Sequence, residues 1–372
     1  MAVSTYDDYY NRGKSYLEFG KYEQALQDFT KAIQLNPHSV QAYNMRGALY
    51  LRLGKNELAV RDYTMSLRIE QRASTYINRG RAYNELGQYE RAIQDFDMAV
   101  LLDKDFAEAY KFRGDAYSAL GQYDQALHEY NMAIVLNRFE YTEAYNARGK
   151  ACAKVGQYNR AIKDFTKAID LSPKYASAYY NRGNTHEHLN DRTAAIADFT
   201  KAIELDPQNA EAYDNRGFTK KLLKEYESAL ADFDKAIELN PNLADAYRER
   251  GVVYLHRNNF ERAVVEYTKA IGLMPYKIDY YTDRGIAYWR LKNYAKAIEE
   301  PGLIKVEGVY NTATVQHCHI ENHGCFAYEE NGRITVVSST QIPHIIRRVV
   351  GQALGRPWAD IEIIKPYIGG GF

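Results

Sequence analysis

The chain has 372 residues, in which 48 lysines and arginines balance 48 aspartates and glutamates, so its formal net charge is zero. Such a chain has no general field to draw in DNA, RNA or an anionic membrane, which removes nucleic acid and membrane from the expected partners. Three cysteines (Cys152, Cys318, Cys325) cannot build a disulfide framework and fit a reducing compartment. The first residues, MAVSTYDDYYNRGK, lack a basic-then-apolar signal segment, and no stretch approaches the roughly 18 apolar residues of a membrane span. A soluble, cytoplasmic protein is the expectation.

Tyrosine is over-used, at 34 residues, and the excess has a period. An Arg-Gly pair recurs with glycines at 13, 47, 80, 114, 149, 183, 217, 251 and 285, a spacing of 34 with one step of 33 and one of 35. A tyrosine stands four residues before each glycine, from Tyr9 to Tyr281, and an alanine twelve residues after it, from Ala25 to Ala297. Four residues beyond that alanine comes an aromatic: Phe29, Tyr63, Phe96, Tyr130, Phe165, Phe199, Phe233 and Tyr267. Apolar residues at i, i+3, i+4 and i+7 mark two amphipathic helices per unit. Pro37, Pro173, Pro207, Pro241 and Pro275 share one slot just past the second helix, where a helix cannot continue.

This pattern resembles the tetratricopeptide repeat. The resemblance implies an all-α fold, a right-handed α-solenoid of antiparallel helix pairs, with eight full repeats over 6–277 and a truncated ninth over 278–300. One repeat cannot bury its own face, so stability is expected from stacking neighbours into a continuous core.

Charge follows the same period. The residue before each glycine is arginine in all nine copies, from Arg12 to Arg284. The residue before the second-helix aromatic is always acidic: Asp28, Asp62, Asp95, Glu129, Asp164, Asp198, Asp232 and Glu266, with Glu300 at the ninth slot. Antiparallel helices put the two slots at similar heights, which predicts a recurring ion pair joining the first helix to the second or to the next unit. Two separate solvated charges are the alternative.

The resemblance further implies an extended peptide or partner protein bound on a concave face lined by first helices. In several such families an asparagine two residues before the repeat glycine contacts the peptide. Asn11, Asn78, Asn181 and Asn215 hold that slot here, while Met45, Phe112, Ala147, Glu249 and Asp283 interrupt the ladder. The alternative is an asparagine tolerated as surface polarity. Just after the glycine, the early repeats carry polar or small residues, whereas the last three carry Phe218, Val252 and Ile286, with Leu255 and Trp289 three residues on. This apolar run marks either a binding patch or an interface with the C-terminal segment. No catalytic constellation is found in the array. His128, His186, His188 and His256 read as incidental.

The period stops at Pro301, which blocks the ninth second helix after AKAIEE. CFAYEENGRITVVSS reads as a hairpin about Asn331-Gly332. A helix capped by Ser339 or Thr340 follows through IPHIIRRVVGQAL to Gly355, and IEIIKPY reads as a buried strand. The segment is therefore expected to be a small α+β fragment. EGVYNTATVQHCHIENHGCFAYEENGRITVVSSTQIPHIIRRVVGQALG and KPYIGGGF resemble the molybdenum-binding subunit of the xanthine dehydrogenase/aldehyde oxidase family, so 301–372 reads as a partial molybdopterin-binding domain. The resemblance puts Gln341 beside the molybdenum centre and Gly370, Gly371 and Phe372 against molybdopterin. The family's base glutamate, later pterin loops and iron–sulfur and flavin parts are not among these residues, so no cofactor and no enzymatic activity are expected of this chain. A truncated or fused molybdenum hydroxylase subunit is the alternative identity.

His317, Cys318, His319, His323 and Cys325 match none of the common tetrahedral zinc spacings, so no metal is expected. Docking of Ile342, Ile345, Ile346 and Val349 on the unfinished ninth repeat, and self-association through that repeat, are further expectations.

Overall fold

The computed structural model describes residues 5–137, 140–300, 325–330, 333–338 and 361–364. The chain falls into two units, Met1–Leu205 and Asp206–Phe372. The division lies between the sixth and seventh repeats. The 300/301 boundary expected from composition falls inside the second unit.

The first unit is six helix pairs: α1 (Tyr6–Glu18) with α2 (Tyr22–Leu35), α3 (Val40–Arg52) with α4 (Asn56–Ile69), α5 (Ala73–Glu85) with α6 (Tyr89–Leu102), α7 (Ala107–Ala119) with α8 (Tyr123–Leu136), α9 (Thr142–Lys154) with α10 (Tyr158–Leu171), and α11 (Ala176–His188) with α12 (Arg192–Leu205). The second unit continues with α13 (Ala210–Leu222) and α14 (Tyr226–Leu239), α15 (Ala244–His256) and α16 (Phe260–Leu273), and α17 (Ile278–Arg290) and α18 (Tyr294–Glu299). Within each unit every second helix packs on its own first helix and on the next one, and consecutive first helices also touch. Among the described residues no helix is long and apolar enough to cross a membrane.

The repeat glycine explains the pairing. A Cβ at Gly80 would stand 2.6 Å from Phe96 Cε1, and at the other seven full repeats 2.7–3.0 Å from the matching ring. The aromatic of the second helix thus lies directly on the backbone of the first, and only glycine admits it. Phe29, Tyr63, Phe96, Phe199, Phe233 and Tyr267 are fully buried there. Each such ring contributes roughly 1.5–3 kcal/mol through burial.

The first helices end in a left-handed residue seven positions after that glycine. Gly20, Gly54, Gly87, Gly121 and Gly156 fill the slot at φ 70–76°, whereas Asn190, Lys224, Asn258 and Lys292 fill it in the later repeats at φ 58–63°. Asparagine tolerates this conformation; lysine adopts it at a cost.

The ninth second helix is six residues long. Glu300 leaves the helix with ψ 134°, as a residue before proline must, because the ring of Pro301 clashes with helical backbone ahead of it. Beyond it, β1 (Cys325–Glu330) pairs antiparallel with β2 (Arg333–Ser338), Glu330 opposite Arg333, so two residues, Asn331 and Gly332, join them. β2 pairs parallel with β3 (Ile361–Ile364). The helix expected over 342–354 and its docking face lie outside the described residues.

Candidate functional site

The recurring charges are consumed by architecture. In all nine repeats the arginine meets the acid of its own repeat, from Arg12 Nε–Asp28 Oδ2 at 2.7 Å to Arg284 Nε–Glu300 Oε1, just past the short ninth second helix, at 2.7 Å. Where the acid is aspartate, Nε and Nη2 take one oxygen each, the fork that a planar guanidinium offers. The third nitrogen, Nη1, reaches back to the second helix of the preceding repeat: Arg46 to Thr30, Arg79 to Thr64, Arg113 to Asp97, Arg148 to Asn131, and likewise Arg182, Arg250 and Arg284. One side chain therefore ties three helices. The tyrosine three residues earlier lies under the guanidinium in every repeat, at 5.2–5.9 Å. Two separate solvated charges are ruled out: the ion pair joins the first helix to the second within each repeat, and the added Nη1 bond runs to the preceding repeat, not the following one.

The slots that vary from repeat to repeat are the ones left on the first-helix side. The residue after the repeat glycine is exposed at Lys14, Ala48, Arg81 and Lys150. A cleft of about 380 Å³ between α3 and α5 is lined by Ala48, Leu51, Arg52, Asn78, Arg81 and Glu85, with the Tyr63 ring at its base. The Tyr63 hydroxyl is buried without a hydrogen-bond partner, and burial raises its pKa. A second cleft of about 540 Å³ lies between α7 and α9, lined by Lys111, Asp115, Asn146, Lys150 and Lys154 among others. There Tyr130 donates to Asp115 Oδ1 at 2.9 Å.

The predicted site residues spread along this side without converging. Asn11 is exposed. Asn78 lines the first cleft. Asn181 donates to Asn146 Oδ1 at 3.0 Å, which links α11 to α9. Asn215 is half-buried and engaged by a neighbour. Phe218 packs on Ala229, Phe233 and Val253 and carries the Lys221 ammonium 4.3 Å above its ring. Val252 and Leu255 pack against Tyr267 and Ala287. Ile286 and Trp289 are half-buried, and the Trp289 indole N–H is buried with no partner. The apolar run is thus partly core: its inner edges fill the repeat interior and its outer edges reach the surface.

The structure adds an unexpected polar network to the second unit. Glu249 accepts from Lys221 Nζ and, at 3.0 Å, from Arg248 Nη1, and Arg248 Nε reaches Asp283 Oδ2 at 2.7 Å. Asp214 Oδ1 is buried with no partner. Burial, then the Glu249 and Asp245 carboxylates, push its pKa up to about 7, with Lys221 opposing them. The sequence offers Glu249 and Asp283 only as breaks in the asparagine ladder, and Asp214, Lys221 and Arg248 pass unnoticed because each is an ordinary surface type on an amphipathic helix. The missed signal is that Asp214, Arg248, Glu249 and Asp283 hold the two positions before the Arg, where the earlier repeats, apart from Lys111, carry neutral side chains such as Asn44, Met45, Ile77 and Asn78.

His186 and His188, which read as incidental in the sequence, both have neighbours in the structure. His186 lies 3.6 Å from Asp191 and 3.9 Å from Asp198, and His188 stacks on Tyr158 at 5.3 Å. His256 stacks on Tyr226 in the same way, at 5.8 Å. These histidines cover an aromatic of the preceding repeat. Among the described residues no group of three or more His, Cys, Asp or Glu side chains could hold a metal ion. Gln341, Gly370, Gly371, Phe372 and the 317–323 cluster lie outside the described residues, so no chemical step is assigned to them.

Tetratricopeptide-repeat family models match 6–39, 73–106 and 176–209, then 29–61 and 199–231, then 107–138, and, as a TPR repeat, 149–190 and 220–256. A model of the molybdopterin cofactor-binding domain matches 279–372, reaching back over the ninth repeat. The xanthine dehydrogenase molybdenum-binding subunit of Escherichia coli O157:H7 is 56% identical over 69 residues, which are 18% of this chain and 9% of that one. The nicotinate dehydrogenase large molybdopterin subunit of Eubacterium barkeri is 41% identical over 70 residues, 18% of this chain and 16% of that one. The chain thus spans under a tenth of the length of the first of these relatives. Among solved structures, the APC/C hetero-tetramer Cut9-Hcn1 superposes with a TM-score of 0.56 at 21% identity, covering 72% of this chain and 52% of that one. A tetratricopeptide repeat protein from Parabacteroides merdae superposes at 0.55 and 23% identity, covering 67% of this chain and 98% of that one.

Proposed function

The helical part of this chain is a tetratricopeptide-repeat array, and on that premise we propose that the protein is an interaction scaffold holding an extended segment of a partner protein along its first helices. One observation carries this reading. The slots that recur unchanged, the arginine, tyrosine and acid, are spent on holding helices together, whereas the varying slots line clefts between consecutive first helices. In the first cleft the Tyr63 hydroxyl, Asn78 and Arg81 make no hydrogen bond or ion pair within the described residues, so a main-chain carbonyl or a polar side chain laid between α3 and α5 would find donors ready. Backbone recognition suits an extended ligand, and specificity then comes from the side chains that differ between repeats.

The test uses the full chain against a spatially addressed array of random nonapeptides, followed by titration of the best binders. Tyr63→Phe keeps the ring on Gly47, and Asn78→Ala changes a residue outside the core. The expected result is selection of a defined peptide set, with affinity falling about tenfold in the double variant, the scale of two lost hydrogen bonds. Unchanged affinity in that variant, or no peptide selected, would refute the proposal.

The match over 279–372 supports a second statement: this region derives from a molybdopterin-binding domain, and we propose that it contributes no catalysis in this chain. Expression in a host that makes the cofactor, followed by metal analysis of the pure protein, tests it. Stoichiometric molybdenum together with hydroxylation of a purine or aldehyde would overturn it.

A further inference from the structure

The residue that opens each second helix, nine past the repeat glycine, is aromatic in most repeats. The following repeat supplies a cover for several of these rings. Arg52 lies over Tyr22 at 4.9 Å, His188 stacks on Tyr158, His256 stacks on Tyr226, and Arg290 lies over Phe260 at 5.9 Å. Each covering residue stands five past its own glycine. Repeats two and three break this pairing. Asn56 replaces the ring at the start of α4, and Glu85 replaces the cover at the end of α5. Both line the first cleft.

The exchange leaves two polar groups of that cleft without partners. Asn56 Oδ1 is buried and accepts nothing, and the hydroxyl of Tyr63, a side chain with 0% exposure at the cleft base, is equally bare. In the second cleft the same two slots hold Tyr123 and Tyr130. There the Tyr130 hydroxyl is satisfied by Asp115, whose slot in the first cleft holds Ala48. Buried polar atoms left open cost stability, and a ligand entering the first cleft would satisfy them.

The lining decides what kind of ligand that is. Its acceptors are Asn56 Oδ1 and the Glu85 carboxylate, and its donors are the Tyr63 hydroxyl, Asn78 and the Arg81 guanidinium. A carboxylate has no N–H for Asn56 and would stand beside Glu85. A lysine or arginine brings only donors into a cleft that already holds Arg52 and Arg81. A main-chain peptide group has one donor and one acceptor, but its trans bond points them in opposite directions. A primary carboxamide carries two N–H donors and a carbonyl oxygen at one end. Ala48 and Leu51 offer its methylene stem an apolar wall. We infer that the first cleft is a subsite for a glutamine or asparagine side chain, its NH2 group donating to Asn56 Oδ1 and Glu85 and its carbonyl accepting from Tyr63 and Asn78. This deepens the scaffold reading and rests on it: the side chain belongs to the bound segment.

The test uses the full-length chain on the same random nonapeptide array, reading residue frequencies among selected peptides. Glutamine or asparagine enriched at one position is the expected result. In solution, replacing that residue by methionine, or by the corresponding acid, should weaken binding to the unaltered protein about tenfold, the scale of two lost hydrogen bonds. Asn56→Leu removes the buried acceptor at similar volume. It should weaken the carboxamide peptide about threefold, roughly one modest hydrogen bond, and leave the methionine peptide unaffected, so the two losses do not add. Circular dichroism checks that this variant folds; if it does not, the peptide substitutions alone decide. Peptides selected without carboxamide enrichment, an acidic peptide that binds as tightly, or losses that simply add would overturn the subsite and leave the scaffold intact. An array that selects nothing would overturn both.

Discussion

Replacing Arg79 is the most informative perturbation of the architecture. Arg79 holds Asp95 through Nε and Nη2 at 2.8 and 2.7 Å, Thr64 of the preceding repeat through Nη1 at 3.1 Å, and Tyr76 beneath its guanidinium at 5.6 Å. Asp95 is 4% exposed. At that separation the Coulomb attraction is about 6 kcal/mol for an effective dielectric near 20. Desolvation of the two ions offsets most of it, so the intact pair contributes little net stability. Its loss is another matter. Arg79→Met leaves Asp95 buried without its cation and costs about 3–5 kcal/mol, whereas Arg79→Met with Asp95→Leu removes both charges and should recover at least half of that. Far-UV circular dichroism against urea measures both variants. Hydrogen exchange should place the loss in α3–α6, because the guanidinium ties α5 to both α4 and α6 and stability in a repeat array is shared mainly with neighbours. A single variant within 1 kcal/mol of the parent, or a double variant as damaged as the single, would refute the reasoning.

Three further predictions follow from local geometry. Gly80→Ala puts a methyl 2.6 Å from the buried Phe96 ring and should destabilise by about 1–3 kcal/mol, read by urea denaturation. Lys224→Gly relieves a left-handed lysine at φ 63° and should stabilise by about 0.5–1 kcal/mol, once the added freedom of the unfolded chain is subtracted; a destabilised variant would contradict it. Asp214→Asn bears on pH. The folded carboxyl titrates at about 7 against an ordinary 3.8, so between those values the folded state holds the extra proton and stability falls as pH rises. The asparagine variant escapes that loss, so its advantage over the parent should grow from pH 4 to pH 8, by up to roughly 3–4 kcal/mol. Equal differences at both pH values would exclude the effect.

The repeat is legible because each slot answers one steric demand nine times over: glycine under a ring, alanine at a close approach, proline past the last turn. The Arg–acid link follows from the same reasoning, since two opposite charges fixed at equal heights on antiparallel helices must meet. Its reach to Thr30, Thr64 or Asp97 of the preceding repeat was not legible, because helix stacking decides which neighbour a third nitrogen finds. The same limit hides the site. Whether Phe218 or Val252 faces solvent or the interior depends on the packing of α14 and α16, and both turn out half-buried. The unmatched hydroxyls of Tyr63 and Tyr267 appear only when Ala48 and Val252 are seen where Tyr130 finds Asp115. The left-handed Lys224 and Lys292 escape notice because nothing about lysine announces a positive φ; only the five glycines at the same slot do.

Photo-crosslinking tests the central claim most directly. A photoreactive residue is placed at Ala48, Arg81 or Lys150 on the first-helix side, or at Lys167 on the exposed side of α10, each in the full-length chain, with a selected nonapeptide as the probe. The account predicts capture of the peptide from the first three positions and not from Lys167. Equal capture from Lys167, or capture there alone, would contradict it.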